Sequence, residues 1–413
     1  MESPDALNPS RPAVEGRTGL CILFCMHAAA MAAYAVPFPN VLDAHGMRGW
    51  LFLAVSTGSV ASFISPMMAA SLADRRVAPE RLLAGLTFLA GILLALVHAS
   101  VQFNWGHRWF LGLMMAYALA NAPGFSLVTS VALSRLSDPR REFAPIRVWA
   151  TWGWMAASFL VSRVFHLDRS PVAGYVGAGI FVAEAIFCLS LKPTPPPPGR
   201  APRRWRDVMG WEALPLLRHP DHRLIFLTSA AFSAVMSTLY VHTVPHLKAG
   251  GDATPAATMA LAQLCEGLAM LAVSGLLLRF RIKWLLTAGL LLGVARYVLL
   301  GTDARWAMVA SVALHGPLFV LFYMTSQIYL ELRIDPGIRA QSQALLSLMN
   351  NGIGNLVGYQ VIDVWYRACG RADGTTDWVR FWNWLAVAAA VLTVVFLMLY
   401  KGQRHVRAGR EPS

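Results

Sequence analysis

The chain has 413 residues, of which 56% are apolar and 14% charged, and its formal net charge is +13. Water-soluble domains carry about 25% charged and about 45–50% apolar residues, so this composition excludes a cytosolic enzyme. With a mean hydropathy of +0.50, the surplus of Lys and Arg reads as loop charge on a membrane protein and not as a nucleic-acid surface.

Met1 to Arg17 is polar and leads into an apolar run without a clear cleavage site, which reads as an uncleaved first span and not a signal peptide. Apolar runs bounded by charge, Gly or Pro then lie at 18–40, 49–73, 81–101, 108–134, 145–166 and 172–191. A second set follows at 223–247, 255–278, 284–302, 304–330, 340–366 and 380–400. Each is close to the roughly 20 residues that cross a bilayer as helix. Backbone polar groups in lipid must be satisfied inside their own segment, so the runs are helices; a barrel would need short alternating strands. The expected fold is an all-α membrane protein of twelve transmembrane helices in two six-helix halves.

Lys192 to His222 is the only long polar stretch between runs, with Pro195 to Pro198 followed by Arg200, Arg203, Arg204 and Arg206. Such a proline run is stiff and extended, and the arginines suit an anionic lipid surface. The reading is an N-terminal half over 1–191, a cytoplasmic Pro/Arg-rich linker over 192–222, a C-terminal half over 223–400 and a basic cytoplasmic tail over 401–413. With the amino terminus inside, about 25 of the 35 basic residues fall on the cytoplasmic side against about nine outside, which orients the chain in a cytoplasmic membrane with both termini cytoplasmic. The halves echo one another: Leu72-Ala73-Asp74-Arg75-Arg76 follows span two as Leu278 to Lys283 follows span eight, and Pro145-Ile146-Arg147 opens span five as Pro336 to Arg339 opens span eleven. Parallel repeats of this kind place a substrate site at the midplane between them.

The five cysteines, Cys21, Cys25, Cys188, Cys265 and Cys369, are an odd and mostly intramembrane set, which is no disulfide framework; no metal and no cofactor are expected. Ala70 to Arg76 resembles the cytoplasmic signature of the major facilitator superfamily between spans two and three. Its small residues permit close helix approach, and Asp74, Arg75 and Arg76 supply a breakable charge-assisted contact. A solvated charged turn is the bland alternative.

An ionised group at a helix centre costs about 2.5–3.5 kcal/mol on insertion scales, so it persists only with a partner or a task. On span five Arg147, Thr151 and Trp154 are spaced i, i+4, i+7 and share a face, presenting a fork, a hydroxyl and an aromatic plate to a flat ligand. Arg147 could equally be a snorkelling anchor. On span eight Gln263 and Glu266 share a face; a carboxylate there can bind a diol or carry a proton, or it can brace the bundle against Arg296. His315, Phe319, Phe322 and Tyr323 form a stripe on span ten that is either packing or cavity wall. On span eleven Asn350, Asn351 and Asn355 stand amid Gly352, Gly354 and Gly358, where the small residues favour helix contact over binding. Glu184 in span six and Asp363 late in span eleven are left unassigned, with interface pairing as the default.

Phe143 to Trp154 resembles the span-five signature of the nucleoside:proton symporter family, a branch of the major facilitator superfamily. Gln263-Leu264-Cys265-Glu266, Ile282-Lys283 through Ala295-Arg296, Ile338-Arg339-Ala340 with Gln343 through Gly352, and Asp377-Trp378 agree with it, so the similarity spans essentially the whole chain. The resemblance implies that nucleosides and protons are taken up together, with Arg147, Thr151, Trp154, Gln263 and Glu266 lining the nucleoside site. It also implies a site aromatic at Phe319, with His315 in place of a tyrosine. Val320 stands where the family pattern has an acidic residue, and Val235 and Thr238 stand at the family's polar pair on span seven; Glu266 is then the candidate for proton coupling. The expected partners are a small-molecule substrate, a proton and the lipid bilayer, with no nucleic acid, and the expected working unit is a monomer. A major facilitator transporter of another polar solute, such as a sugar, is the first alternative; a multispan transferase and a non-transporting receptor are further ones.

Overall fold

The computed structural model describes residues 15–194, 211–252 and 255–402. The proline run, Arg200 to Arg206 and most of the basic tail lie outside the described residues. All twelve predicted runs are helical. Glu15–Ala35 with Phe38–Ala44 forms the first span, Leu51–Ala61 with Ser65–Arg75 the second, and Pro79–Gln102 the third. His107–Asn121 with Gly124–Arg135 forms the fourth, Pro139–Phe159 the fifth and Val172–Ser190 the sixth. The second half runs from Pro220–Met236 through Pro255–Arg279, Ile282–Leu300 and Arg305–Ala313 with its continuation to Arg333. Arg339–Ser347 with Asn355–Ala368 and then Trp378–Leu399 complete it. Among the described residues, β pairing is limited to one isolated bridge between Gly370 and Thr376.

Among the described residues, nine helical stretches are long and apolar enough to cross a membrane by length and composition. Spans five and eleven carry more polar side chains, among them Arg147, Asn350 and Asn351, which face inward. Large apolar side chains on the perimeter, such as Phe52, Trp109, Leu268, Val361 and Met398, are exposed and cover the surface that lipid would wet.

Packing repeats between the halves. Span one packs on spans five and six, and span three on span six; span seven packs on spans eleven and twelve, and span nine on span twelve. Across the halves, span two meets span eleven and span five meets span eight. A π-helical turn ends span five at Leu160–Val164, and others interrupt spans ten and eleven at Val320–Met324 and Leu348–Gly354. Turns of this type shift side chains off the regular helical stripe and concentrate at functional sites, and the latter two contribute Tyr323, Asn350 and Asn351 to the central cavity.

Candidate functional site

Span five starts where the Asp138 carboxylate caps it, accepting from the Arg140 amide at 3.0 Å, and Pro139 occupies the first turn. From that start, helical periodicity brings Arg147 and Trp154 to the wall of a cavity of about 480 Å³ between the two halves. Gln263 and Glu266 of span eight, and His315, Phe319 and Tyr323 of span ten, face the same space. The sequence-predicted residues of three separate helices are thus brought together.

The Arg147 guanidinium lies 5.5 Å from the centre of the Phe24 ring and 5.3 Å from that of Phe125. Two aromatic faces hold its cationic centre. No hydrogen bond or ion pair within the described residues consumes its donors, so the fork is available to whatever fills the cavity.

Glu266 is 6% exposed, and the Thr151 hydroxyl donates to its Oε1 at 2.9 Å. Thr151 itself stands behind Glu266 and is absent from the cavity wall. Its hydroxyl meets the carboxylate and not the cavity, contrary to the expectation that Thr151 lines the site. The bracing alternative for Glu266 is not what the geometry shows: buried Arg296 faces His315 Nδ1 at 3.4 Å and Thr243 Oγ1 at 3.5 Å, with no ion pair to Glu266. Close approach of span ten to span eight depends on Gly316, because a Cβ there would overlap the Cys265–Glu266 backbone.

His315 and Phe319 follow each other along span ten with ring centres 6.2 Å apart, and Phe319 and Tyr323 with 5.5 Å. The aromatic stripe is therefore cavity wall in part, while buried Phe322 turns away to pack on Phe232. Val320 is fully buried, so this position offers the cavity no acid. On span seven the wall is made by Ser233, Met236 and Ser237. Val235 and Thr238 point elsewhere: the Thr238 hydroxyl lies 3.1 Å from Tyr297 Oη, which donates to the Val235 carbonyl at 2.7 Å. The small residues of span eleven do serve helix contact, since a Cβ at Gly354 or Gly358 would overlap the span-seven backbone at Ala230 and Ala234, while Asn350, Asn351 and Asn355 face the cavity. The π turn supplies the reason, since it swings consecutive asparagines inward.

Phe125, Ser126 and Tyr359 also line the cavity and carry no mark in the sequence analysis. The signal available for Phe125 was the Pro123-Gly124 break just before it, which splits span four at mid-membrane.

A second cavity of about 420 Å³ shares Phe125, Ser347, Asn351, Asn355 and Tyr359 with the first and runs along Tyr34, Phe38 and Val55 toward the far ends of spans one and two. At the opposite end the halves are in contact. The Asp74 carboxylate accepts from the Ala340 and Gln341 amides at 3.1 and 3.0 Å, at the first turn of span eleven. An anion there meets both the unpaired amides and the positive helix end. Arg75 pairs with Glu212 in the segment joining the halves, and Arg76 is exposed. The Ser274 hydroxyl donates to the Arg141 carbonyl at 3.2 Å, joining spans eight and five on the same side. Glu184 pairs with His27 inside the first half, and Asp363 with Arg367 on the surface.

A family model described as nucleoside H+ symporter matches residues 17–405. The putative nucleoside transporter YegT of Escherichia coli is 27% identical over 373 residues, covering 86% of this chain and 86% of its own length. The xanthosine permease of the same organism is 26% identical over 372 residues, covering 84% and 87%. A crystal structure of a mutant of the nucleoside transporter NupG superposes with a TM-score of 0.71 at 21% identity, over 94% of this chain and all of that one.

Proposed function

The chain belongs to the nucleoside H+ symporter family, and we propose that it imports nucleosides with protons across the cytoplasmic membrane by alternating access. It is a transporter and not an enzyme. The observation that carries the site assignment is the convergence of Arg147, Trp154, Gln263, Glu266, His315 and Phe319 on one cavity between the halves.

In this reading residues 1–191 and 223–400 are the moving halves, 192–222 joins them, and both termini are cytoplasmic. The contacts of Asp74 then close the cytoplasmic side, and the cavity opens outward past Tyr34 and Phe38. Trp154 and Phe319 stack a planar base, which needs only apolar faces and an aromatic edge. Glu266 and Gln263 hydrogen-bond the sugar hydroxyls, with Thr151 fixing the carboxylate. Arg147 adds donors from its aromatic seat. Glu266 carries a proton when substrate and proton move together, since a carboxylate entering a closed, dry cavity is better tolerated neutral.

Labelled uridine and adenosine uptake into vesicles holding the full chain, with and without an inward proton gradient, tests this. Uptake above empty vesicles that rises with the gradient is expected. Absence of nucleoside uptake, with uptake of a labelled sugar in the same vesicles, would replace the substrate class.

A further inference from the structure

Beside the cavity, sealed inside the first half, lies an ionisable pair that the transport scheme above does not use. His27 Nδ1 on span one and Glu184 Oε1 on span six are 2.9 Å apart, and both side chains are 0% exposed. Their outer atoms, His27 Nε2 and Glu184 Oε2, are buried without a hydrogen-bond partner. Charge counting makes this arrangement sensitive to one proton. A neutral imidazole donating to a carboxylate leaves a net negative charge in a site that water does not reach, and one added proton converts it to a compensated imidazolium–carboxylate pair. Uncompensated buried charge is strongly unfavourable, and ionisable residues inside membrane spans pair with one another and mark ion and proton paths.

The surroundings say where that proton enters and what it changes. The free Nε2 edge lies against Gly124, where a Cβ would overlap the imidazole ring, at the Pro123-Gly124 break of span four. Asn121 and Tyr117 from the adjoining turns of span four line the outer cavity. The Asn121 Oδ1 is itself buried without a partner. Other titratable groups around the pair are Tyr117, Cys188 along span six, and Arg147 of span five. Toward the outer end stand Tyr34 of span one and His98 of span three, with ring centres 6.3 Å apart.

Phe125 connects the pair to the substrate cavity. Its ring is perpendicular to that of His27, with centres 4.7 Å apart, and it carries the Arg147 guanidinium 5.3 Å from its centre. One phenyl ring thus serves two groups, and when both are cations they repel across it.

We propose that the His27–Glu184 pair is a proton-binding site whose occupancy sets the position of Arg147 through Phe125. A proton from external water adds to His27 Nε2, the imidazolium weakens the Arg147 seat on Phe125, and the guanidinium turns into the cavity toward the ligand. The proton leaves from the same nitrogen to the cytoplasmic side once the halves have rocked. Binding of proton and ligand then favour each other, as symport requires. The ligand side of this scheme rests on the nucleoside reading; proton binding by the pair does not.

Two measurements separate the two claims. In vesicles with the full chain, Glu184→Gln should lower gradient-driven uridine accumulation by about tenfold while uridine exchange at equal pH falls no more than about twofold, a split that a merely structural role would not give. Exposed His45→Gln serves as the control with unchanged uptake. Accumulation by Glu184→Gln within about twofold of the parent protein overturns coupling through the pair. Independently of any substrate, histidine-ring NMR of the purified chain should show one buried imidazole that takes up a proton from the medium. Its assignment rests on loss of the signal in His27→Gln, or on its shift in Phe125→Leu where His27→Gln does not fold. A His27 signal that does not respond to the proton concentration of the medium overturns the proton site, whatever the chain transports.

Discussion

Thr151 contributes one hydroxyl, 3% exposed, to one carboxylate across the interface of the halves. Hydrogen bonds to a charged group contribute about 1.5–3 kcal/mol, and losing the donor leaves the buried acceptor unsatisfied. Valine has nearly the shape of threonine without the hydroxyl, so Thr151→Val removes that donor and little packing. In uridine uptake we expect the apparent KM to rise about tenfold, corresponding to about 1.4 kcal/mol, with expression and helix content kept. A variant with the parental KM would show that Glu266 does not need Thr151 to meet its ligand. Arg147 presents the opposite design. Its seat is made of two phenyl rings, which hold the cation without using its donors, so it keeps its hydrogen-bonding capacity for a guest.

At the scale of helices, the start of span five shows how a terminus outside the membrane is held. Glu142 accepts from the Ser137 and Asp138 amides at 2.9 and 3.3 Å and pairs with Arg17 at the start of span one. Partial burial works against ionisation of Glu142, but those two amides and the guanidinium outweigh it and hold the carboxyl below its ordinary value of 4.5. A carboxylate shifted in this direction stabilises the folded chain above its unfolded value, and that contribution disappears as pH falls through the lower folded value. The melting temperature of the purified protein should therefore exceed that of Glu142→Gln near neutral pH, with the gap closing as pH drops from about 5 to about 3. A gap that persists or widens over that range would show that the carboxylate charge is not what anchors the helix start. Helices were also where the sequence was most legible. Apolar length alone locates all twelve, and residues such as Arg147 and Asn351, which make spans five and eleven more polar, face the cavity. Phe125 escaped notice because an apolar residue in an apolar span carries no periodic mark. The His27–Glu184 contact joins positions 157 apart, which no local pattern reveals. Thr151 was read as lining the site because helical spacing gives the face of a residue but not its depth behind a neighbour.

Considered whole, the molecule is shut on one side, where polar contacts between the halves accompany apolar packing. Asp74 rests on two amides of span eleven, Arg75 on Glu212, and Ser274 on the Arg141 carbonyl, while the side facing Tyr34 and Phe38 stays hollow. A carboxylate at a helix start contributes about 0.3–1 kcal/mol, and one ordinary hydrogen bond about 0.5–1.5 kcal/mol net. Contacts of that size close a gate without trapping it, which alternating access demands: a ligand can reverse the balance only if the two states differ by a few kcal/mol. Covalent closure should then stop the cycle. With the five native cysteines replaced, Arg141→Cys and Ser274→Cys can be joined by a short reagent with two thiol-reactive ends that spans the space now bridged by the Ser274 hydroxyl. Joined protein should bind uridine from the open side yet fail to deliver it to the vesicle lumen, and a cleavable reagent should restore delivery when it is cut. Cross-linking should also slow when uridine is present on both sides, because cycling separates spans five and eight. Full transport by the joined protein would mean that spans five and eight stay together throughout the cycle, and the gate would have to be sought elsewhere than beneath Thr151 and Glu266.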